Sequence, residues 1–311
     1  MAIVDKARIG FPMPQIFTGG VDRALMRQVA ADADALGYDS LWTQEQQFGR
    51  ADSLEPLVSL AAAAALTEHV RIGVSVLVMA RHDPVQLAKQ LASLDQIAGG
   101  RLIAGVGAGR PNVAPGVEGM PTDRRLLRLE EGIGVMRALW ASDDATFDGK
   151  LWRLDGVSVN PKPVQRPGIP LWFGAGADAA LRRAARLGDG WMGAGSSSVD
   201  DFKQQLPKVR AMLEEEGRDP AAFAVGKRVY VAIDGDSARA ERRLKEWFGA
   251  YYGVDTMASR VSIWGPERVV AERLEEIADA GAETMLLNPV FDLAEHQAAL
   301  AEVCGLTPRA S

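Results

Sequence analysis

The sequence predicts an α/β protein of the (β/α)8 barrel class, forming one domain over residues 1–311. Short apolar segments typical of β-strands alternate with amphipathic helical segments along the chain, and eight such strands can be placed. The alternative is an open doubly wound sheet, which needs only about five to seven strands and usually carries a glycine fingerprint after the first of them. Here Pro12-Met13-Pro14 follows the first strand, which favours the barrel.

The predicted strands are short and rich in apolar residues. In chain order they cover residues 8–11, 39–43, 70–78, 102–106, 171–173, 190–192, 225–233 and 284–287. The helices between them have recognisable start and stop signals. Asp83-Pro84 is an N-cap followed by proline, and Gly99-Gly100 ends the same helix. Asp292 and Glu295 have the spacing of a capping box at the last helix.

Two segments interrupt the alternation of strands and helices. Residues 142–168 contain Phe147-Asp148-Gly149-Lys150, which is typical of a hairpin turn, and prolines at 161, 163 and 167. Residues 253–264 have no clear period and are expected to be irregular. We interpret both segments as insertions in the barrel and not as linkers between domains.

Composition excludes several classes of function. The net charge of −6 argues against a dedicated partner of nucleic acid or of an anionic membrane surface. The single cysteine, Cys304, excludes an intramolecular disulfide. No apolar run reaches the roughly 20 residues of a membrane span and no signal peptide is evident, so a cytoplasmic protein is expected. The histidines, His69, His82 and His296, are too far apart to predict a metal site.

Active sites of (β/α)8 barrels lie at the carboxyl ends of the strands, and two such ends resemble anion sites. Gly174-Ala175-Gly176-Ala177 leads directly into a helix, and Gly195-Ser196-Ser197-Ser198 follows the next strand. Small residues let backbone N–H groups approach a phosphate, and a helix N-terminus favours negative charge. The alternative is that both are ordinary tight turns.

The second strand is followed by an unusual polar run, Gln44-Glu45-Gln46-Gln47, directly after Trp42-Thr43. Glu45 carries the one charge in this run and could transfer a proton if burial raised its pKa. The alternative is a solvated loop carboxylate. Anion-binding turns combined with few acid or base groups suit a phosphate-bearing redox cofactor better than hydrolysis.

An ordered set of motifs resembles the luciferase-like flavin and deazaflavin oxidoreductases, in the branch that uses coenzyme F420. The matching runs cover nearly the whole chain in the right order; they are Asp39–Thr43, Val70–Val76, Pro84–Lys89, Leu94-Asp95, Gly99–Leu102, Gly105–Gly109, Phe147, Pro161–Pro167, Pro170–Gly174 and Ala184–Trp191.

The resemblance implies a cofactor in the mouth of the barrel. Its ring would press on a backbone bulge at Ser75–Val76, which is often a non-proline cis peptide in this family, and its phosphate would lie at Gly174, Ala175, Gly176 and Ala177. Further cofactor contacts are expected from Gly107, Ala108, Gly109 and Ser196. Candidate cationic partners of the acidic cofactor are Arg81, His82 and Arg110. The resemblance also implies a homodimer.

The sequence departs from the family after the second strand. Many relatives have an acidic residue followed by histidine there, and this chain has Glu45-Gln46. Glutamine cannot transfer a proton near neutral pH, so Glu45 is the best candidate for proton transfer. Gln46, Trp42 and Asn112 are expected to shape the substrate pocket. Arg110-Pro111 stands where sugar-oxidising relatives often have a carboxylate, which disfavours sugar phosphates as substrates.

Three hypotheses follow for the function. The first is an F420-dependent oxidoreductase that transfers a hydride between the deazaflavin and a small organic substrate. The second is a monooxygenase that uses reduced FMN and oxygen in the same fold. The third, from a different class, is a barrel that binds the cofactor without catalysis, which the missing histidine would explain.

Overall fold

A computed structural model describes residues 2–47, 51–109 and 123–309, in which strands and helices alternate as the sequence predicts. The strands are β1 (Arg8–Pro12), β2 (Ile16–Phe17), β3 (Ser40–Thr43), β4 (Asp52–Ser53), β5 (Arg71–Val78), β6 (Leu102–Gly107), β7 (Ala145–Asp148), β8 (Arg153–Val157), β9 (Leu171–Ala175), β10 (Gly190–Gly193), β11 (Ala224–Ile233), β12 (Ser262–Gly265) and β13 (Thr284–Asn288). The α-helices are α1 (Arg23–Ala35), α2 (Pro56–Leu66), α3 (Pro84–Ile97), α4 (Arg125–Ala141), α5 (Asp178–Leu187), α6 (Val199–Glu215), α7 (Ser237–Tyr252), α8 (Met257–Val261), α9 (Glu267–Asp279) and α10 (Leu293–Cys304). Short 3₁₀ turns cover Ile3–Asp5, Met79–Arg81 and Pro220–Ala222.

Eight parallel strands close into a ring in the order β1-β3-β5-β6-β9-β10-β11-β13. The ring closes because β13 pairs with β1, with Arg8 opposite Thr284, and β10 pairs with β11, with Gly190 opposite Ala224. The predicted (β/α)8 barrel is therefore confirmed. All carboxyl ends of a parallel ring lie at one rim, so the residues that follow β3, β5, β6, β9 and β10 meet there.

The apolar residues form two separate layers. Five buried side chains, each from a different ring strand, pack together inside the barrel; they are Trp42, Ile103, Trp172, Met192 and Leu286. A much larger cluster lies between the strands and the surrounding helices. A barrel packed in this way is not an open pore, so ligands must bind at its rim.

Helix α3 begins as the sequence predicts, whereas α10 does not. The Asp83 carboxylate accepts hydrogen bonds from Val85 N (3.0 Å) and Gln86 N (2.8 Å), which satisfies two otherwise unpaired donors. The capping box predicted at Asp292 is wrong. Asp292 has a φ of 45° and no side-chain cap bond, because its carboxylate is bonded to both terminal nitrogens of Arg243.

The first interruption contains the predicted hairpin. Strands β7 and β8 pair antiparallel, with Asp148 opposite Arg153, so the predicted hairpin is confirmed, but Phe147 and Asp148 belong to β7 and the turn covers residues 149–152. The segment after the hairpin is fixed by Asp95 of α3, whose side chain is fully buried. The Asp95 carboxylate accepts hydrogen bonds from Val164 N (2.8 Å), Gln165 N (3.1 Å) and Gln165 Nε2 (2.8 Å).

The second interruption is more regular than predicted. Residues 253–264, expected to be irregular, contain α8 and most of β12. Strand β12 adds to the outer end of β11, with Val231 opposite Ile263 and Ile233 opposite Gly265. This pairing depends on tertiary contact with a long strand that is distant in sequence. A segment of four residues is too short for its own pattern to predict such a pairing.

Candidate functional site

A cavity of about 690 Å³ opens at the rim, over the carboxyl ends of β5, β6, β9 and β10. All ten residues predicted to contact the cofactor line it, namely Ser75, Val76, Gly107, Ala108, Gly109, Gly174, Ala175, Gly176, Ala177 and Ser196. These residues come from four separate places in the sequence. The fold therefore brings together what the sequence analysis could only group by analogy.

The backbone at Ser75–Val76 has both features that the resemblance implied. The peptide bond is cis, and the register between β5 and β6 shifts between Val74 and Leu77. The Val76 side chain lies in a space kept open by glycines. A Cβ atom at Gly107 would lie 2.9 Å from Val76 Cγ2, and one at Gly174 would lie 2.8 Å from Val76 Cγ1. The glycines at these strand ends thus give Val76 room in the cavity wall.

The electrostatics of the cavity favour an anion. Its described lining includes Arg125, Arg183 and Arg228 and contains no acidic side chain, although Arg183 is paired with Glu130 at 2.7 Å. Ala177 is the N-cap of α5 and makes no side-chain cap bond, so the first N–H groups of that helix are not capped by a side chain. Residues Gly174–Ala177 and the arginines fit a phosphate with further negative charge beside it.

The loop between β10 and α6 is held by a buried lysine. Lys227 Nζ donates to Ala194 O (2.6 Å), Ser197 O (2.7 Å) and Ser197 Oγ (2.9 Å). Because Ser196 lies between these acceptors, Lys227 holds the loop that carries Ser196, one of the expected cofactor contacts. Burial lowers the pKa of Lys227 to about 7.

This pKa predicts a pH-dependent stability. The native state releases the Lys227 proton near pH 7 and the unfolded chain near its ordinary value of 10.5, so the unfolded chain binds more protons between these values. The free energy of unfolding of the wild type should therefore rise relative to Lys227→Met by up to about 1.4 kcal/mol per pH unit above pH 7. Urea unfolding of both proteins at pH 6.5, 8 and 9.5 measures this. A constant difference would mean that Lys227 keeps its proton.

Glu45 lies in a buried polar cluster and not in the described lining of the cavity. Its carboxylate accepts a hydrogen bond from Val78 N (2.6 Å) and contacts His82 Nε2 (3.0 Å) and Arg81 Nη1 (3.6 Å). The Glu45 side chain is 6% exposed. Arg81 and His82, predicted as cofactor partners, thus pair with Glu45. Gln46, and not a histidine, follows Glu45 in sequence. The structure places a histidine from a different strand end beside the Glu45 carboxylate.

A second, small pocket of about 60 Å³ adjoins the cavity. Trp42 lines it, packed at 5.8 Å between ring centroids against Trp172, and so does Gln44. Arg228 lines both pockets. Its guanidinium donates to Ser75 O (3.4 Å), Asn288 Oδ1 (3.0 Å) and Gln44 Oε1.

Sequence analysis missed Arg228 and Lys227. Both lie in β11, which was identified only as a buried strand. The signal was present, because two consecutive cations inside an otherwise apolar strand are rarely buried without a specific role. Asn112 and Arg110 lie outside the described residues, and Gln46 is partly buried beside Glu45.

Two structural features are absent from residues 2–47, 51–109 and 123–309. No helix in them is long and apolar enough to cross a bilayer. The same ranges contain no cluster of three or more histidine, cysteine or acidic residues placed to hold a metal ion.

The chain is similar to an F420-dependent glucose-6-phosphate dehydrogenase of Kineococcus radiotolerans. The two are 31% identical over 226 residues, which cover 70% of this chain and 66% of the relative, slightly less than two thirds of its length.

Solved structures share the fold. One is an F420-dependent secondary alcohol dehydrogenase in complex with an F420-acetone adduct, with a TM-score of 0.82 and 23% identity over 96% of this chain and 98% of that one. Another is a monooxygenase from Streptomyces bottropensis, with a TM-score of 0.80 and 24% identity over 95% and 98%. The sequence model of the luciferase-like monooxygenases matches residues 15–254, so the chain belongs to the luciferase-like monooxygenase family.

Proposed function

We propose that the protein is an F420-dependent oxidoreductase that transfers a hydride between the deazaflavin and a small organic substrate. The observation that carries this proposal is the cavity, in which all ten predicted cofactor contacts meet without an acidic side chain among the described lining. Sequence similarity to an F420-dependent dehydrogenase supports it.

The residues present fit the cofactor in three respects. The Ser75–Val76 part of the cavity wall offers a surface against which a ring can pack. The segment Gly174–Ala177 offers backbone donors for the phosphodiester, and Arg125 offers a cation for the acidic tail. When bound, the deazaflavin supplies the hydride acceptor or donor, and the chain supplies binding, orientation and exclusion of water.

Titration of the purified protein with F420 and with FMN, followed by absorbance and fluorescence, tests the proposal. We expect micromolar or tighter binding of F420 and weaker binding of FMN. Absence of F420 binding in the micromolar range would overturn the proposal. Preferential FMN binding, with oxygen uptake when reduced FMN and candidate substrates are present, would instead support the monooxygenase.

Proton transfer in this proposal is assigned to Glu45, with Gln46 beside it. Glu45→Gln should lower kcat by about a hundredfold, because glutamine accepts hydrogen bonds but cannot exchange a proton near neutral pH. The F420 dissociation constant should change little, since Glu45 does not line the described cavity. The measurements are kcat over a range of pH values and F420 affinity.

Glu302→Gln is the matched control, because Glu302 is exposed on α10. If turnover of Glu45→Gln equals that of the control, Glu45 has only a structural role in pairing with Arg81 and His82. If a broad substrate panel gives no turnover while F420 binds tightly, the non-catalytic hypothesis replaces the enzyme. The predicted homodimer is tested separately by light scattering of the purified protein.

A further inference from the structure

Arg228 joins the two pockets at the rim of the barrel. It is the one residue that appears in the described lining of both the large cavity and the small pocket. Arg228 is only 9% exposed, although its guanidinium keeps its charge at any pH at which the protein is folded. A group placed in the small pocket would therefore meet a buried cation on the side that faces the cofactor cavity.

The charge of Arg228 has no acidic partner among the described residues. Its three hydrogen-bond acceptors are neutral, namely Ser75 O, Gln44 Oε1 and Asn288 Oδ1. The Nε atom is buried and has no hydrogen-bond partner in this part of the chain. Buried guanidinium groups are normally neutralised by a carboxylate or phosphate, because removing a charge from water is costly. The Tyr230 ring, 5.2 Å from the Arg228 Cζ atom, contributes a cation–π contact, but it does not neutralise the charge. The arrangement therefore suits an anionic ligand.

The walls of the small pocket are mostly apolar. Ten of the fifteen described residues that line it are apolar, among them Trp42, Trp247, Leu286 and Val290. A volume of about 60 Å³ holds only a few non-hydrogen atoms. One cation in an apolar space of this size suits a small, flat anion with a hydrocarbon attached.

We propose that the small pocket binds the carboxylate of a short-chain organic acid and that Arg228 is the residue that selects it. This inference rests on the proposed function, because it assigns the substrate class of the same site. The carboxylate contacts Arg228 in the small pocket, and the hydrocarbon next to it points towards the cavity that would hold the cofactor.

The experiment compares butanoate with two neutral probes of similar size, butanamide and butan-1-ol. Each is titrated by calorimetry into the wild-type protein, both free and loaded with F420, at pH 7. We expect butanoate to bind at least about tenfold more tightly than butanamide, because only the acid can form charge-assisted hydrogen bonds with Arg228. Equal affinity for the acid and the amide would overturn the inference, and this comparison does not depend on any variant folding.

Two substitutions assign the preference to Arg228. Arg228→Gln should abolish the preference for butanoate over butanamide, and Arg228→Lys should retain part of it, because lysine keeps the charge without the planar donors. Arg153→Gln, at an exposed arginine of the insertion hairpin, is the matched control and should behave as the wild type. If Arg228→Gln keeps the preference, or if its main effect is weaker F420 binding, Arg228 does not select the substrate.

The two proposals fail in different ways. If F420 binds and the wild type shows no preference for the acid, the inference about Arg228 is wrong and the proposed function stands. If F420 does not bind while butanoate still binds through Arg228, the cofactor assignment is wrong and the carboxylate site stands.

Discussion

Gly105→Ala is expected to lower the free energy of unfolding by about 3 kcal/mol. Gly105 is buried in β6, and a Cβ atom built on it would lie 2.0 Å from Val74 O and 3.2 Å from Val76 Cγ1. A flexible side chain could move away from an added methyl group, but the nearest atom here is a backbone carbonyl oxygen. The adjoining strand would have to shift at the point where its register to β6 already changes.

Chemical denaturation of Gly105→Ala beside Gly235→Ala measures this effect. Gly235 has no atom within 4 Å of its would-be Cβ and lies outside the left-handed backbone region, so its alanine variant should change stability by less than about 1 kcal/mol. Any structural adjustment at Gly105 also moves Ser75–Val76, so F420 affinity of the folded variant should fall as well. If the two variants are equally stable, β5 can shift without lowering the free energy of unfolding.

The same geometry shows what the sequence could and could not predict. The alternation of apolar strands and amphipathic helices was enough to predict the ring of strands. The predicted strand ends lie within about two residues of the observed ones, because most are next to glycine, proline or a charged residue. One difference affects the site, since Gly174-Ala175 ends β9 and only Gly176-Ala177 forms the turn before α5. The sequence predicts a fifth strand that is shorter than the observed β9, because small residues give a weak strand signal.

The residues of the candidate site also include some that the sequence could predict and some that it could not. Residues expected to contact the cofactor through the backbone could be proposed from the family resemblance, although glycines at strand ends also form ordinary tight turns, and these residues line one cavity. Side-chain partners could not, since the bond of Glu45 to His82 and that of Arg228 to Asn288 join strand ends that are distant in sequence. Hydrophobic periodicity and secondary-structure propensity describe one segment at a time, whereas these contacts depend on how the strands close into a ring.

Asp95→Ala is expected to lower the free energy of unfolding by about 2 to 3 kcal/mol, because it would leave three partly buried hydrogen-bond donors without their acceptor. The donors are the backbone N–H groups of Val164 and Gln165 and the side-chain amide of Gln165. Gln165 Nε2 also donates to Leu102 O at 2.8 Å, at the start of β6. Asp95 therefore ties the insertion to the amino end of a ring strand.

The matched control is Asp155→Ala, at an exposed aspartate in the same insertion, which should cost less than about 0.5 kcal/mol. Denaturant unfolding gives the stabilities of both variants. A loss of under about 1 kcal/mol in Asp95→Ala would mean that water replaces the carboxylate as acceptor for these donors.

The position of Asp95 separates this effect from that of Gly105. The amino ends of barrel strands serve stability, whereas the carboxyl ends carry the ligand. Folded Asp95→Ala protein should therefore bind F420 with unchanged affinity, while Gly105→Ala should lose both stability and affinity. Leu94-Asp95 and the run from Pro161 to Pro167 are separate parts of the resemblance, and their hydrogen bonds give a physical reason for the two to occur together: each is the partner of the other.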